Sequence, residues 1–254
     1  MTPINQLNVA HDWPAVSVTG PKGPANFVLV CEHASANIPA ELSDLGVSEQ
    51  ARFSHAAWDI GAQDMALRLS AVLNVPLVLG GLSRLVYDCN RPLSAPDCIP
   101  DRSEAFNVPG NADLTDDARQ TRFDRVHGPF HDQLARTVAA AGPKTCLITL
   151  HTFTPVYNNR PRDVEIGYLY HEDARLAYAA LAQHQAGLHA ALNEPYSATD
   201  GVTYTLQKHG ETHGLPALMI EVRNDLVATS DTAHSVADTL AATLTAARCK
   251  VVGK

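Results

Sequence analysis

Histidine and carboxylate side chains follow or interrupt apolar, strand-like runs at three places in this 254-residue sequence. Glu32 and His33 come directly after NFVLVC, His151 follows TCLITL, and Glu221 interrupts ALMIEV. Two neutral imidazoles and one carboxylate, with an open fourth position, are what a hydrolytic zinc site requires. The sequence therefore predicts a metal-dependent hydrolase that binds one Zn²⁺ per chain, with His33 and His151 as two of the ligands.

The third metal ligand has two candidates. Glu32 is the direct neighbour of His33, and in an extended chain their side chains point to opposite faces, so they can hardly share one ion. Asp59, in HAAWDIGAQDMA, is the better candidate, although its position also suits a helix N-cap.

A competing histidine pair occurs in RVHGPFH, where His127 and His131 are four residues apart. This spacing can place two imidazoles on one metal, but the glutamate of HExxH is absent and Gly-Pro lies between them. We expect His131 to contact substrate instead.

We expect Glu221 to have either an ion-pair partner or a catalytic role, because a buried unpaired carboxylate destabilises the fold by several kcal/mol. It is either the general base of the reaction or the partner of Arg223 in an ion pair. Arg84 and Arg91 flank LVYD, and each offers a planar fork that binds a carboxylate or stabilises an oxyanion; a solvated surface arginine is the alternative for each.

These residues are set in an alternation of short apolar runs and amphipathic stretches, which is typical of one α/β domain over residues 1–254 with a mostly parallel mixed sheet between helical layers. Ligands of such sheets bind beyond the carboxyl ends of the strands. Predicted strands are 26–31, 75–79, 84–88, 145–150, 165–170 and 217–222. Predicted helices are 59–73, about 115–140 with an interruption at Gly128-Pro129, 172–192 and 230–248.

Composition narrows the class of partner. The formal net charge of −8 argues against nucleic acid or an anionic membrane as a partner, and no apolar run is long enough to span a bilayer. The start of the chain has no leader-like pattern, so we expect a cytoplasmic protein. The five cysteines form no CxxC pair, which favours free thiols. Nothing in the pattern predicts an oligomeric state.

Seven segments resemble the N-formylglutamate amidohydrolase family, whose fold is similar to that of the zinc carboxypeptidases and aspartoacylases, a phosphorylase/hydrolase-like three-layer α/β/α arrangement. The segments span about residues 31–226 in the order of the family: CEHASANIP, HAAWDIG, LSRLVYDCNRP, GPFH, TLHTFTP, EIGYLYHED and MIEVRNDL.

The resemblance implies a zinc ion on His33 and His151, with a carboxylate that maps to Asp59, and Glu221 as the base. Ala36 stands where the carboxypeptidase-like enzymes have the glutamate of HxxE, which leaves the carboxylate ligand open.

The resemblance also implies the substrate contacts. The Asn90-Arg91 pair resembles the pair that holds a substrate α-carboxylate, and Arg84 maps to the oxyanion donor. The implied reaction cleaves the N-formyl or other short N-acyl amide of a small anionic amino acid, such as N-formylglutamate, to formate and the amino acid.

Two other functions fit part of the sequence. Cys31 and His33 lie two apart on a strand, as a thiol nucleophile and its base would in a thiol-dependent amidase. A metal-free protein that binds carboxylates or amino acids would need Arg84, Arg91 and Arg223 but not the histidines.

Overall fold

The computed structural model describes residues 13–185 and 187–253. The first twelve residues, on which the expectation about a leader depends, lie outside the described residues. The strands are β1 Val16–Thr19, β2 Phe27–Cys31, β3 Leu77–Gly80, β4 Arg102–Ser103, β5 Phe106–Asn107, β6 Cys146–Phe153, β7 Val156–Tyr157, β8 Arg160–Pro161, β9 Ile166–Leu169, β10 Ala190–Leu192 and β11 Ala217–Arg223. The α-helices are α1 Glu49–Arg52, α2 Ala62–Leu73, α3 Asp116–Arg122, α4 Gly128–Ala141, α5 Arg175–Gln183 and α6 Ser230–Val251.

Seven strands form one mixed sheet in the order β1-β3-β2-β6-β11-β9-β10. The four central strands β3, β2, β6 and β11 are parallel to one another, while β1 and the parallel pair β9–β10 run against them. The expected mostly parallel mixed sheet is confirmed. The remaining strands form two short ribbons, β4–β5 and β7–β8.

Helices cover both faces of the sheet, as the continuous apolar strands require. In β2, alternate residues point to opposite faces, so Leu29 and Cys31 pack in one buried cluster while Val28 and Val30 pack in the other. The first cluster is completed by α2, α5 and α6, and the second by α4 with the loops around residues 82–99. This is the expected three-layer α/β/α arrangement.

The predicted strand at 84–88 is wrong. This segment is a buried loop that pairs with no strand: Asn111 Nδ2 donates to the Leu85 carbonyl and Arg122 Nη1 to the Val86 carbonyl, while the N–H groups of Arg84 and Asp88 donate to the Ala57 and Cys98 carbonyls of other loops. Its apolar side chains therefore reflect burial in the second cluster, not membership of the sheet.

One helix prediction changed in the structure and another was confirmed. The predicted helix 172–192 stops with α5 at Gln183, because the chain after Gly187 (φ +133°) extends to form β10 along β9. The interruption expected at Gly128-Pro129 is confirmed: a π-helical turn over Phe123–His127 separates α3 from α4, and Pro129 lies in the first turn of α4.

The carboxyl ends of the parallel strands β2, β6 and β11 meet at one edge of the sheet. Along the described ranges, no helix combines the length and apolar character needed to cross a bilayer.

Candidate active site

The carboxyl edge of the sheet brings the predicted site residues together from distant parts of the chain. His33 follows β2 in a turn, His151 lies on β6, and Glu221 lies beside His151 as its register partner on β11. Asp59 precedes α2, and its backbone N–H donates to the His33 carbonyl over 2.9 Å. That hydrogen bond holds the start of α2 against the turn that carries His33.

Two imidazoles converge on one carboxylate oxygen at this edge. Asp59 Oδ2 lies 2.9 Å from His151 Nδ1 and 3.4 Å from His33 Nδ1, and all three side chains are buried. One ligand atom from each residue falls within 4.8 Å of the other two, as a single ion would require.

The opposite nitrogen of each imidazole faces a second carboxylate. His33 Nε2 donates to Asp88 Oδ1 over 2.7 Å, and His151 Nε2 lies 3.1 Å from Glu32 Oε2. Metal-binding histidines usually use their second nitrogen in this way, which fixes the ring and leaves Nδ1 for the metal. Glu32 lies behind His151 in this arrangement, which favours Asp59 as the carboxylate ligand.

The donor atoms fit a zinc ion. His33 Nδ1 is buried without a hydrogen bond among the described residues, so it has unused capacity at the point where the two rings meet Asp59 Oδ2. Two imidazole nitrogens and one carboxylate oxygen are a donor set that zinc accepts while it keeps a position open.

The pKa values of the two histidines shift in opposite directions because their surroundings differ. Burial and the Arg84 cation lower the pKa of His33 to about 4, although Asp88 opposes them, so this ring is neutral. Burial would also lower the pKa of His151, but its contact with Glu32 outweighs burial and raises that pKa. In the same way, burial tends to raise the pKa of Glu32 and His151 overcomes it, so the carboxylate stays ionised.

Glu221 is suited to proton transfer. Its side chain borders the pocket, its residue is only 4% exposed, and Oε2 has no hydrogen bond within the described ranges. Burial raises the pKa of this carboxyl group, although His151 and Arg84 oppose the shift. A carboxylate with a raised pKa can take a proton and return it near neutral pH.

The pocket above these groups has a volume of about 210 Å³ and a mixed charged lining. Arg84 reaches Asp59 Oδ1 with Nη2, while its buried Nε has no hydrogen bond among the described residues. Arg91 also borders the pocket, where Nε donates to Asp97 and Nη1 to the Gly201 carbonyl, each over 2.9 Å.

Asn90 lies in the pocket wall, but its amide is already used. Its Nδ2 donates to the Val202 carbonyl and its Oδ1 accepts the Thr205 N–H over 3.0 Å. The side chain therefore ties the loop before Arg91 to the segment 202–205.

Two residues expected to bind substrate are held elsewhere. Both ring nitrogens of His131 have protein partners 2.8 Å away, namely His209 Nε2 and the Cys89 carbonyl, and His131 is not part of the pocket wall. Arg223 points to Glu165 and Asp225 rather than to Glu221 or the pocket. Neither geometry fits the predicted substrate contact, because neighbouring side chains compete for the same donors.

The other histidine interpretation fails for a similar reason. His127 Nε2 contacts the Tyr204 hydroxyl over 3.2 Å, and its ring stacks on Phe123 and touches His131. The pair in RVHGPFH is thus part of a packed aromatic cluster.

Several pocket residues were not identified from the sequence, and His55 and Tyr196 are two of them. His55 lies four residues before Asp59 in HAAWDIG, a spacing that signals a shared helical face only if that segment is helical. Tyr196 borders the pocket and its hydroxyl accepts from Arg162 Nη2 over 3.1 Å, but no motif around it points to a site.

Cys31 is fully buried in the cluster under α2 and is not part of the pocket wall. Burial raises the pKa of its thiol, and the neighbouring Glu32 carboxylate adds to the shift. A buried neutral thiol is a poor nucleophile.

The sequence model of the N-formylglutamate amidohydrolase family matches residues 25–228, the segment that contains every one of these site residues. The chain belongs to this family. The crystal structure of gene product Atu2144 from Agrobacterium tumefaciens is 44% identical, with a TM-score of 0.90 over 93% of this chain and 96% of that one.

N-formylglutamate amidohydrolase from Ralstonia eutropha JMP134 has the same fold, with a TM-score of 0.67 at 18% identity over 95% of this chain and 100% of that one. No curated protein matches the chain significantly.

Proposed function

We propose that this protein is a zinc-dependent amidohydrolase that cleaves the N-formyl, or another short N-acyl, group from an acidic amino acid. The products are formate, or the matching short acid, and the free amino acid. The observation that carries the proposal is the buried group His33, Asp59 and His151 beside Glu221, whose Oε2 has no hydrogen bond within the part of the chain that the structure describes, in one pocket. Membership of the N-formylglutamate amidohydrolase family supports the same reaction class.

In the proposed mechanism, His33, His151 and Asp59 hold the zinc ion, while Asp88 and Glu32 keep the two rings oriented. When bound, zinc supplies Lewis acidity toward the acyl carbonyl and lowers the pKa of water. Glu221 takes the proton of the attacking water and then delivers it to the leaving nitrogen, so that the amino acid departs as a free amine.

The two arginines bind different negative groups, the developing oxyanion and the substrate carboxylate. Arg84, with buried N–H groups beside Asp59, stabilises the charge that develops on the carbonyl oxygen. Arg91, which borders the pocket, binds the α-carboxylate, and Asn90 supports the Arg91 loop.

A release screen tests this function. Purified protein, stripped of metal and then given one equivalent of zinc, is incubated with the N-formyl, N-acetyl and N-succinyl derivatives of glutamate and of leucine. We expect release of one acid and one free amine per substrate, with glutamate preferred, and no release from the stripped protein. No release from any substrate with zinc bound would refute the proposal.

Two variants separate this function from the alternatives. His151→Ala should lose metal and turnover together, whereas a carboxylate-binding protein would hold N-formylglutamate equally well in both forms and would cleave it in neither. Cys31→Ala should retain zinc-dependent turnover, since Cys31 lies outside the pocket. Loss of turnover in a folded, zinc-loaded Cys31→Ala protein would favour the thiol mechanism.

A further inference from the structure

His55 is a buried imidazole that borders the pocket and has no role in the mechanism above. The residue is 8% exposed, and its Nδ1 is buried without a hydrogen bond among the described residues. Buried polar groups in native proteins nearly always have a partner, so an unused imidazole at a pocket wall points to a ligand.

The position of Asp59 sets the orientation of this ring. Asp59 Oδ2 faces the two metal-binding imidazoles, while Oδ1 faces Arg84 and lies 3.8 Å from His55 Nδ1. A hydrogen on Nδ1 is favoured by the nearby carboxylate oxygen. In a neutral imidazole with its hydrogen on Nδ1, the other nitrogen, Nε2, is an acceptor. Because Nδ1 points to Asp59, Nε2 is the nitrogen that remains for the pocket.

The substrate brings a donor that needs such an acceptor. The N–H of an N-acyl amino acid loses its water when it enters the pocket, and a buried donor without an acceptor destabilises the complex.

The buried carboxylates that border the pocket are already engaged, and the remaining one, Glu104, is exposed to water. Asp88 accepts from His33 and from the backbone N–H of Asn90, and Asp59 faces the imidazoles and Arg84. Glu221 is assigned to the attacking water.

Three hydroxyl groups of the pocket wall already have hydrogen-bond partners: Ser103 Oγ donates to the Ala56 carbonyl, Thr152 Oγ1 donates to the Ile60 carbonyl, and the Tyr196 hydroxyl accepts from Arg162. His55, by contrast, is a buried acceptor beside the metal-binding group whose ring makes no hydrogen bond within the described ranges.

We propose that His55 is a substrate-binding residue that accepts the amide N–H of the N-acyl amino acid through Nε2, with Nδ1 held toward Asp59. The contact makes the site selective for amides over the corresponding esters. This inference rests on the proposed function, since it names how the same pocket recognises its substrate.

The test compares two substrates that differ only in the replacement of the amide N–H by an ester oxygen. N-formyl-L-glutamate carries the N–H, and the O-formyl ester of (S)-2-hydroxyglutarate has an oxygen in its place. Formate release gives kcat/KM for both, corrected for spontaneous ester hydrolysis. Metal content and melting temperature are recorded for every variant.

Three variants separate the contributions of the two nitrogens of the His55 ring. His55→Ala removes both nitrogens, His55→Asn keeps an amide N–H that reaches toward Asp59, and His55→Gln places an amide oxygen near the position of Nε2. We expect His55→Ala and His55→Asn to lower kcat/KM for the amide by about ten- to a hundred-fold, the effect of one unpaired buried donor. The ester should change by less than about threefold on the same reasoning, and His55→Gln should recover part of the amide preference.

Equal losses on the amide and the ester would overturn the inference, because His55 would then act through Asp59 or the fold. An unchanged ratio in a folded, metal-loaded His55→Asn protein would overturn it as well. If the wild-type protein released no formate from N-formyl-L-glutamate, the proposed function would fail, and this inference with it. If the wild-type protein is active but the His55 variants keep its ratio of amide to ester kcat/KM, the role of His55 alone would be refuted.

Discussion

Glu221→Gln is the most direct test of the proton-transfer step. The substitution keeps the size of the side chain and one oxygen, so it removes the charge and the proton acceptor without opening a cavity. Because Glu221 Oε2 has no hydrogen bond among the described residues, its loss leaves no stranded partner. We therefore expect folding and metal content to be retained.

The expected loss is in turnover. A positioned acid–base group contributes about 10²–10⁴ in rate, so kcat should fall by that factor, or by about 2.7–5.4 kcal/mol of transition-state stabilisation. The substrate contacts assigned to Arg91 are untouched, and KM should change by no more than about threefold on that account.

The assay measures formate release under saturating substrate, with zinc content measured on the same sample. Glu165→Gln is the matched control, since Glu165 pairs with Arg223 outside the pocket, and we expect it to keep wild-type kcat. Near wild-type turnover of metal-loaded Glu221→Gln would refute the assignment and make Glu221 a structural carboxylate.

The pH profile of the wild-type enzyme gives a second measurement of the same group. Burial raises the pKa of Glu221, so its base form is lost on acidification at a higher pH than for an ordinary glutamate near 4.3. The acid limb of kcat/KM should therefore lie above that value, and Glu221→Gln should remove it from the residual activity. An acid limb that persists unchanged in the variant belongs to another group.

Further predictions concern the metal, the substrate and stability. Asp88→Asn should weaken zinc binding by about 10–100-fold, because it removes the carboxylate that orients His33, as read from chelator competition; unchanged affinity would contradict this. Arg91→Ala should raise KM for N-formylglutamate while kcat stays within about threefold of wild type, since it removes binding shared by ground and transition states. A loss confined to kcat would argue against the carboxylate contact. Burial lowers the pKa of His209 to about 4, so the unfolded chain, with a histidine pKa of about 6.5, binds protons more readily. Stability in urea should therefore fall as pH drops from about 6.5 toward 4, and His209→Gln should flatten that slope, whereas His234→Gln on the exposed face of α6 should leave it unchanged.

The buried parallel strands were predictable because their sequences are apolar on both faces. The runs ending at Cys31 and Leu150, and the one that contains Glu221, suit a covered sheet position for that reason. The run at 84–88 has a similar apolar centre but lies in a loop, since its carbonyls accept from the side chains of Asn111 and Arg122 and its N–H groups donate to other loops rather than to a strand. The composition of this segment indicates that it is buried, but it does not indicate which groups its backbone hydrogen-bonds to.

The site was predictable where strand ends determine position. His33, His151 and Glu221 meet because parallel strands present their carboxyl ends at one edge. His131 and Arg223 could not be placed in this way, because local competition from His209 and Glu165 decides where they point. His55 was missed because its approach to Asp59 depends on the non-helical turns between residues 53 and 61.

The arrangement around the two imidazoles also has a consequence for charge compensation. The four buried carboxylates Glu32, Asp59, Asp88 and Glu221 bring four formal negative charges to the pocket and the layer beneath it, and Arg84 and Arg91 return two positive ones; Glu104 also borders the pocket but is exposed, so water screens its charge. Those counts leave a formal deficit of two positive charges in a region largely shielded from water, where uncompensated charge is costly. A divalent cation supplies that amount. The same ion that polarises the substrate would thus also neutralise the carboxyl edge of the sheet and allow four acidic groups to remain close together beneath a small pocket.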